Sequence, residues 1–331
     1  MSQLRSIKQS AKSAFDDANA RRALLHTPRM RPFVKKTDAE VWARLFWILA
    51  WNETINKPMR PASAPKIVLI LGSAPDAVRS REWQRAPFDA IVAINNAWRV
   101  RDDWNYLVHA GDFPQSAMPV PDLARDRKIH TASDYVPAQN AYGGFVYAGA
   151  TMSLTSAYWA LHRLKPDVLA FLGCDMNYDQ AGPTHFYGYG NADPLRPDVT
   201  LQSLEAKTGR LMISAARQGC ICVNLSRLDT SRLVFPRVDI DELAEWSPRD
   251  AQLRIDSVLR QVDEAQLQRA EIRERTLGYY FPSGEYWLFL DQIDARELRC
   301  LDDLWLAALG RKETAPTPEC SETVWKVAAA R

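Results

Sequence analysis

Short apolar runs that end on small or polar residues constrain the fold of this 331-residue chain more than any other feature. They alternate with longer segments whose apolar residues recur at helical spacing. The runs with strand character are Ile67–Leu71, Ala90–Ile94, Tyr106–His109, Lys128–Thr131, Val168–Leu172 and Cys220–Leu225. Continuous apolar strands separated by helices are typical of a parallel sheet that is covered on both faces. We therefore expect an α/β fold with a mostly parallel, Rossmann-like sheet.

The residues that end these strands indicate a binding site. Their endings read Gly-Ser, Asn-Asn, Gly-Asp, Gly-Cys-Asp and Asn-Leu-Ser. The carboxyl ends of parallel strands gather along one edge, and open α/β sheets bind their ligands at that edge. The recurrence of small and polar endings therefore predicts a site for a nucleotide-type ligand there.

The chain has three predicted parts. Residues 1–60 are basic, have a helical pattern and end in a proline cluster; residues 66–237 form the α/β domain; residues 238–331 form a helical region with a flexible tail. In the last part, residues 243–275 and 286–309 each have the pattern of one long helix. In the first part, Val41–Trp51 is apolar but too short to span a membrane, so it either packs on the sheet or lies on a membrane surface.

Composition excludes several classes of protein. Hydrophobic residues make up 47% and charged residues 25%, which is ordinary for a soluble globular chain, and a net charge of +2 does not support binding to nucleic acid. The N-terminus lacks the apolar stretch of a secretory signal. The five cysteines match no zinc or thioredoxin spacing, so we interpret them as reduced thiols and expect a cytoplasmic protein. The 11 tryptophans are interpreted as core residues, with carbohydrate contact as the alternative.

The loop after the strand Val168–Leu172 holds the candidate catalytic residues. Asp175 follows the strand end, where a carboxylate can bind ribose hydroxyls. His185 is a candidate general base because an imidazole titrates near neutral pH, and His109 at another strand end is the alternative base. The phenols of the loop either hydrogen-bond a departing phosphate or only order the loop; they belong to Tyr178, Tyr187 and Tyr189.

Two further strand endings are candidate ligand contacts. In Gly72–Asp76, the backbone N–H groups of a small-residue turn can approach a phosphate, although the segment is neither a dinucleotide fingerprint nor a Walker loop and a plain turn is the alternative. The amides of Asn95 and Asn96 suit a pyrimidine edge or ribose, or else they cap a helix. The pair Asp239 and Asp241 resembles a metal-binding Asp-x-Asp, but its position before a predicted helix favours capping.

The order of these motifs resembles that of the bacterial lipooligosaccharide sialyltransferases, glycosyltransferase family forty-two. It also resembles, more distantly, the motility-accessory and pterin pyrophosphokinase-like domains. The matching segments lie within residues 66–235 and read KIVLILGSAPD, IVAINNAW, YAGATMSLTSAYWAL and DVLAFLGCDMNY. Ala74 stands where the family has a second glycine, and Tyr178 follows Asp175 by three residues instead of two.

The resemblance implies an inverting, metal-independent transfer of a sialic-acid-like sugar from a CMP-activated donor to a hydroxyl of a glycan or glycolipid acceptor, in lipopolysaccharide or capsule synthesis. It implies a GT-A-like variant of the Rossmann-like fold and no cofactor besides the donor. His185 would be the base, with Tyr178 and Tyr187 at the phosphate and Asp175 at the nucleotide. The remaining nucleotide contacts would be Gly72, Ser73, Ala74, Asn95, Asn96, Ser153, Gly173 and Cys174.

Two other functions stay open at this point. One is pyrophosphokinase-like phosphoryl transfer on the same fold, with Mg²⁺ held by Asp175 and Asp179. The other is non-catalytic binding of a nucleotide or glycan, since a fold does not fix a function. Peripheral contact with the inner membrane and homo-oligomerisation are open as well.

Overall fold

The computed structural model describes residues 64–124, 126–178, 182–189 and 197–311. The predicted N-terminal helices, including Val41–Trp51, and the tail from residue 312 lie outside these ranges. The described residues contain one parallel sheet of six strands in the order β4-β3-β2-β1-β5-β6. Its strands are β1 (Ile67–Leu71), β2 (Ala90–Ile94), β3 (Tyr106–Val108), β4 (Lys128–His130), β5 (Val168–Leu172) and β6 (Ile221–Asn224). The predicted α/β fold with a parallel, Rossmann-like sheet is confirmed.

Helices follow or separate the strands. The α-helices are α1 (Pro121–Ala124), α2 (Ala132–Asn140), α3 (Phe145–Ala148), α4 (Met152–Leu164), α5 (Leu204–Arg217), α6 (Ile240–Ala244), α7 (Pro248–Gln261), α8 (Glu264–Leu277) and α9 (Ala295–Ala308). Shorter 3₁₀ segments cover Pro75–Glu82, Asn95–Arg99, Gln115–Ala117, Val199–Leu201 and Tyr286–Gln292. The connections from β1 to β2 and from β2 to β3 are therefore 3₁₀ turns instead of α-helices.

The sheet is buried on both faces, which explains why its strands are apolar without alternation. Successive side chains point to opposite faces. In β1, Val68 and Ile70 join a core with side chains of α2, α4 and α5. Ile67, Leu69 and Leu71 join a second core with the 3₁₀ segment Pro75–Glu82, α6 and α7.

The C-terminal helices belong to the same cores. α6 and α7 cover the second face of the sheet, while α8 and α9 pack on α3 and α5 in a third apolar cluster. The predicted single helix over 243–275 is interrupted, because the Asp263 side chain accepts hydrogen bonds from the backbone N–H groups of Ala265 and Gln266 and starts a new helix. Among the described residues, no helix combines the length and apolar character needed to cross a membrane.

Three cysteines are free and buried in the described part of the chain: Cys174, Cys220 and Cys222. Cys300 is disulfide-bonded, so the prediction of five reduced thiols is wrong for this residue. Cys320 lies outside the described residues.

Candidate functional site

The sheet has a topological switch point between β1 and β5. From β1 the chain adds β2, β3 and β4 on one side, and then returns to place β5 and β6 on the other. The connections that follow β1 and β5 leave in opposite directions, so a crevice opens between them at the carboxyl ends of the two strands. Ligands of open α/β sheets bind in such a crevice. The endings of β1 and β5 are the Gly72–Asp76 turn and the Gly173–Asp175 turn.

The two turns are in direct contact. Gly72 N donates to Leu172 O at 2.8 Å, and Ala74 N donates to Gly173 O at 2.9 Å. A Cβ at Gly72 would lie 2.2 Å from Gly173 O, and Gly173 has a φ of +70°. Glycine is therefore required at both positions by contact and by backbone conformation.

The N-terminus of α4 reaches the same edge, because α4 precedes β5 and runs antiparallel to it. Thr151 caps the helix by accepting from Leu154 N at 3.2 Å, and its hydroxyl lies 3.7 Å from Met176 Sδ. The Ser153 side chain hydrogen-bonds the Cys174 thiol, while burial raises the pKa of that thiol to about 12. Cys174 is therefore a neutral packing group under the turn, and Ser153 is partly engaged with it.

Asp175 is a buried carboxyl group at the floor of the crevice. It is only 1% exposed, and neither carboxylate oxygen accepts a hydrogen bond of good geometry from the described residues. Burial raises its pKa above the usual range, and nearby Asp76 acts in the same direction, while the hydroxyls of Ser231 and Ser226 and the charge of Arg237 act against them. A buried acceptor without firm partners is costly unless a ligand supplies donors.

The segment after β6 covers Asp175 and was missed as part of the site. Arg232 N donates to Asp175 O at 2.9 Å. Asn224, the last residue of β6, donates from Nδ2 to Ser231 Oγ at 3.1 Å. The Ser231 hydroxyl hydrogen is therefore free to be donated to Asp175. The Asn-Leu-Ser ending of β6 was the available signal, but nothing local in the sequence indicates that Ser231 folds back toward β5.

His185 lies in a tight turn that is fastened to the end of β1. Phe186 N donates to Ser73 O at 2.9 Å, and His185 and Gly188 exchange two backbone hydrogen bonds of 3.0 Å. The imidazole stacks on Tyr187 with 4.9 Å between ring centroids, and its Nδ1 lies 2.8 Å from Thr184 Oγ1. The residue is 8% exposed, and burial lowers the pKa of the imidazole. When Nδ1 donates to Thr184, Nε2 is the free proton acceptor.

The three phenols differ in exposure. Tyr178 packs partly buried against the first core, Tyr187 stacks on His185 with 44% of its surface exposed, and Tyr189 is 78% exposed. Asp179 lies outside the described residues.

Asn95 and Asn96 differ in their hydrogen bonding. Asn95 has a φ of +48°, and its Oδ1 accepts from Ala110 N at 3.0 Å, so it joins the ends of β2 and β3. Asn96 Oδ1 is buried without a partner among the described residues. No side-chain capping bond forms at this 3₁₀ segment, so the capping alternative is not observed.

The remaining candidates are His109 and the pair Asp239 and Asp241. His109 contacts Ala110 O at 2.8 Å at the end of β3, three strand spacings or roughly 14 Å from β5. Asp239 occupies the N-cap position of α6 but makes no side-chain capping bond; it pairs with Arg227 at 2.9 Å. Within the described ranges, no cluster of three or more histidine, cysteine, aspartate or glutamate side chains is arranged to hold a metal ion.

The fold and the crevice define the chain as a Rossmann-like α/β protein with a candidate ligand site at its switch point. Comparisons of the chain with protein-family models, with curated proteins and with solved structures gave no match.

Proposed function

We propose that the protein is a metal-independent glycosyltransferase that uses a nucleotide-activated sugar, with a CMP-linked, sialic-acid-like donor as the best candidate. The observation that carries the proposal is that a buried imidazole, in a turn bonded to the end of β1, and a buried carboxyl group at the end of β5 lie at the same switch point. The choice of CMP rests on the resemblance of the strand-ending motifs to the sialyltransferase family.

His185 is the general base of the proposed reaction. The acceptor hydroxyl attacks the anomeric carbon in line, the bond from that carbon to the donor phosphate breaks with inversion, and the hydroxyl proton passes to Nε2. Because burial lowers the pKa of His185, the imidazole is neutral and able to accept at physiological pH. Thr184 and Tyr187 hold the ring in orientation through the contacts described above.

Asp175 and the turn after β1 serve the donor. Asp175 accepts hydrogen bonds from the ribose hydroxyls, which would give its carboxylate oxygens the well-formed hydrogen bonds that they lack among the described residues. The N-terminus of α4 places helix N–H groups at the same edge, where they favour a negatively charged phosphate. The N–H groups of Gly72 and Ala74 are already bonded to the end of β5, so the turn after β1 shapes the crevice and does not supply these N–H groups to the phosphate.

Thermal unfolding with a panel of nucleotides tests the proposal. We expect CMP to raise the unfolding temperature without Mg²⁺, since a ligand at about 100 times its dissociation constant adds about 2.7 kcal/mol to the folded state. CDP, UDP, GDP and ATP are the comparison ligands, and Asp175→Asn is expected to abolish the shift. His109→Gln is the matched control, because His109 lies at the edge of β3 and should leave the shift unchanged.

Two outcomes would overturn the proposal. A shift only with ATP and Mg²⁺ would favour phosphoryl transfer on the same fold. No shift with any nucleotide, while the protein is folded, would remove the nucleotide donor altogether.

A further inference from the structure

A cavity of about 550 Å³ lies away from the switch point, beside aromatic residues of the second core. It is an open groove between the end of the 3₁₀ segment Pro75–Glu82 and residues 98–104. Five arginines and two aspartates line it together with aromatic side chains. The three aromatic residues are Trp83, Trp98 and Trp104.

The groove lies toward the amino ends of the strands. Arg85, one of its lining residues, donates to Asp89 O and to Asn105 Oδ1. Asp89 and Asn105 directly precede β2 and β3. The candidate transferase site lies at the opposite, carboxyl edge of the sheet, so the groove is separate from it.

Two of the five arginines are hydrogen-bonded to the protein itself. Arg101 forms a bidentate ion pair with Asp103 through two hydrogen bonds of 2.7 Å, and it also donates to Trp83 O at 3.0 Å. Arg85 donates to the backbone oxygens of Phe88 and Asp103. These guanidinium groups use their N–H groups on the protein itself and have few left for a ligand.

The other three arginines retain N–H groups for a ligand. Arg99 is exposed, and its guanidinium contacts the Trp98 ring at 5.3 Å without a hydrogen bond to the described residues. Arg81 uses only Nε, on Val100 O at 3.3 Å. Arg127 lies 4.6 Å from the Trp104 ring centroid and donates to Asp102 O.

A buried donor in the wall of the groove also lacks a partner. The indole Nε1 of Trp104 has no acceptor among the described residues, although the side chain is 2% exposed. Buried polar groups are nearly always hydrogen-bonded in folded proteins. This N–H is itself inaccessible from the groove, so the donors offered to a ligand are the three open guanidinium groups, which match an anionic ligand with several acceptor oxygens.

We propose that this groove binds a water-soluble phosphomonoester such as a sugar phosphate. A phosphomonoester is close to a dianion at neutral pH and presents three oxygens, which fit the planar donor forks of Arg81, Arg99 and Arg127. The tryptophan faces provide an apolar surface for the attached sugar. The volume lies in the range of small-molecule sites. The proposal is independent of the function assigned to the switch point.

Calorimetric titration with glucose 1-phosphate tests this site. The wild-type protein is expected to bind glucose 1-phosphate and not glucose, and glucuronate, with a single charge, is expected to bind at least tenfold more weakly. The double variant Arg81→Gln with Arg99→Gln should weaken binding about a hundredfold, since each lost guanidinium removes charge-assisted hydrogen bonds worth about tenfold. Arg260→Gln is the matched control, because Arg260 is an exposed arginine on α7 that does not line the groove.

Three results would overturn the proposal. The first is no binding of glucose 1-phosphate to the folded wild-type protein at millimolar concentration. The second is binding that is equal in the double variant and the control, and the third is equal affinity for glucuronate. Vesicles of phosphatidylcholine with phosphatidic acid provide a further arm: cosedimentation with them, without binding of glucose 1-phosphate, would assign the groove to a lipid headgroup instead.

Discussion

A buried ion pair in the helical layer, which α5, α8 and α9 form, has firm hydrogen bonds, but the buried carboxyl group at the carboxyl edge of the sheet does not. In the helical layer, Arg210 of α5 forms two hydrogen bonds of 2.7 and 2.8 Å with Glu274 of α8, and Trp305 of α9 donates to the same carboxylate at 2.9 Å. At the carboxyl edge, Asp175 has no firm partner. Both groups are buried, so burial alone does not identify a site. A buried charge left open at a switch point indicates a place for a ligand.

The largest expected effect is on the closed network. Glu274→Ala would leave the Arg210 guanidinium buried without its counter-charge, which typically costs 3–5 kcal/mol in the free energy of unfolding. Urea unfolding monitored by circular dichroism measures it. The matched control is Asp239→Ala, which breaks an ion pair whose two side chains are each 62% exposed and should change stability by less than about 1 kcal/mol. Equal losses of unfolding free energy in the two variants would contradict the distinction between a buried and an exposed ion pair.

Unlike Glu274→Ala, the variant Asp175→Asn is not expected to lose stability at neutral pH. Because burial raises the pKa of Asp175, the folded state binds its proton more readily than the unfolded state. The wild-type protein therefore gains stability from this group as pH falls through the raised pKa, and loses it as pH rises toward 7. The amide carries no charge, so the variant should be at least as stable as wild type at pH 7 and should lose this pH dependence.

Urea unfolding of both proteins between pH 4 and pH 8 checks the prediction for Asp175. The stability advantage of the variant should shrink as pH falls. A variant that is less stable than wild type at pH 7 would show that the carboxylate is a structural partner and not an open ligand group.

His185 is expected to set the acid limb of turnover. Its pKa is lowered from 6.5 by burial, so the neutral base persists below that pH and activity should fall only at a more acidic inflection. The same shift lowers the stability of the folded state as pH falls through the window below 6.5, because the unfolded chain takes up the proton first. A pH profile of kcat/KM checks this; an inflection above 6.5 would contradict a buried, neutral imidazole as the base.

The smallest effect is expected at the exposed phenol. Tyr189→Phe should change stability by less than about 0.5 kcal/mol and turnover by less than threefold, because the side chain is 78% exposed. Tyr187→Phe keeps the ring that stacks on His185 and should also retain the pH profile. A large loss of turnover in either variant would contradict this prediction and support the phosphate-binding role that the sequence suggests for these phenols.

Local patterns predicted the strands and the switch-point turns well. β1, β2 and β5 begin and end at the predicted residues because buried strands need uninterrupted apolar runs. α2 was not predicted, since Pro137 lies inside it; the capping box of Thr131 and Asp134 was the signal that could have found it. The bond from Phe186 to Ser73 and the fold of Ser231 over Asp175 join segments far apart in the chain, and no local pattern encodes such contacts.

The most direct test of the account is donor turnover by His185→Gln, read beside calorimetric binding of CMP to the same protein. We predict that CMP binds with the wild-type dissociation constant, because in the proposed reaction the imidazole acts on the acceptor and not on the nucleotide. Hydrolysis or transfer of the sugar from CMP-sialic acid should fall ~10²–10⁴-fold. Turnover equal to wild type, or a wild-type protein that binds no CMP, would contradict the assignment of the switch-point crevice as a transferase site.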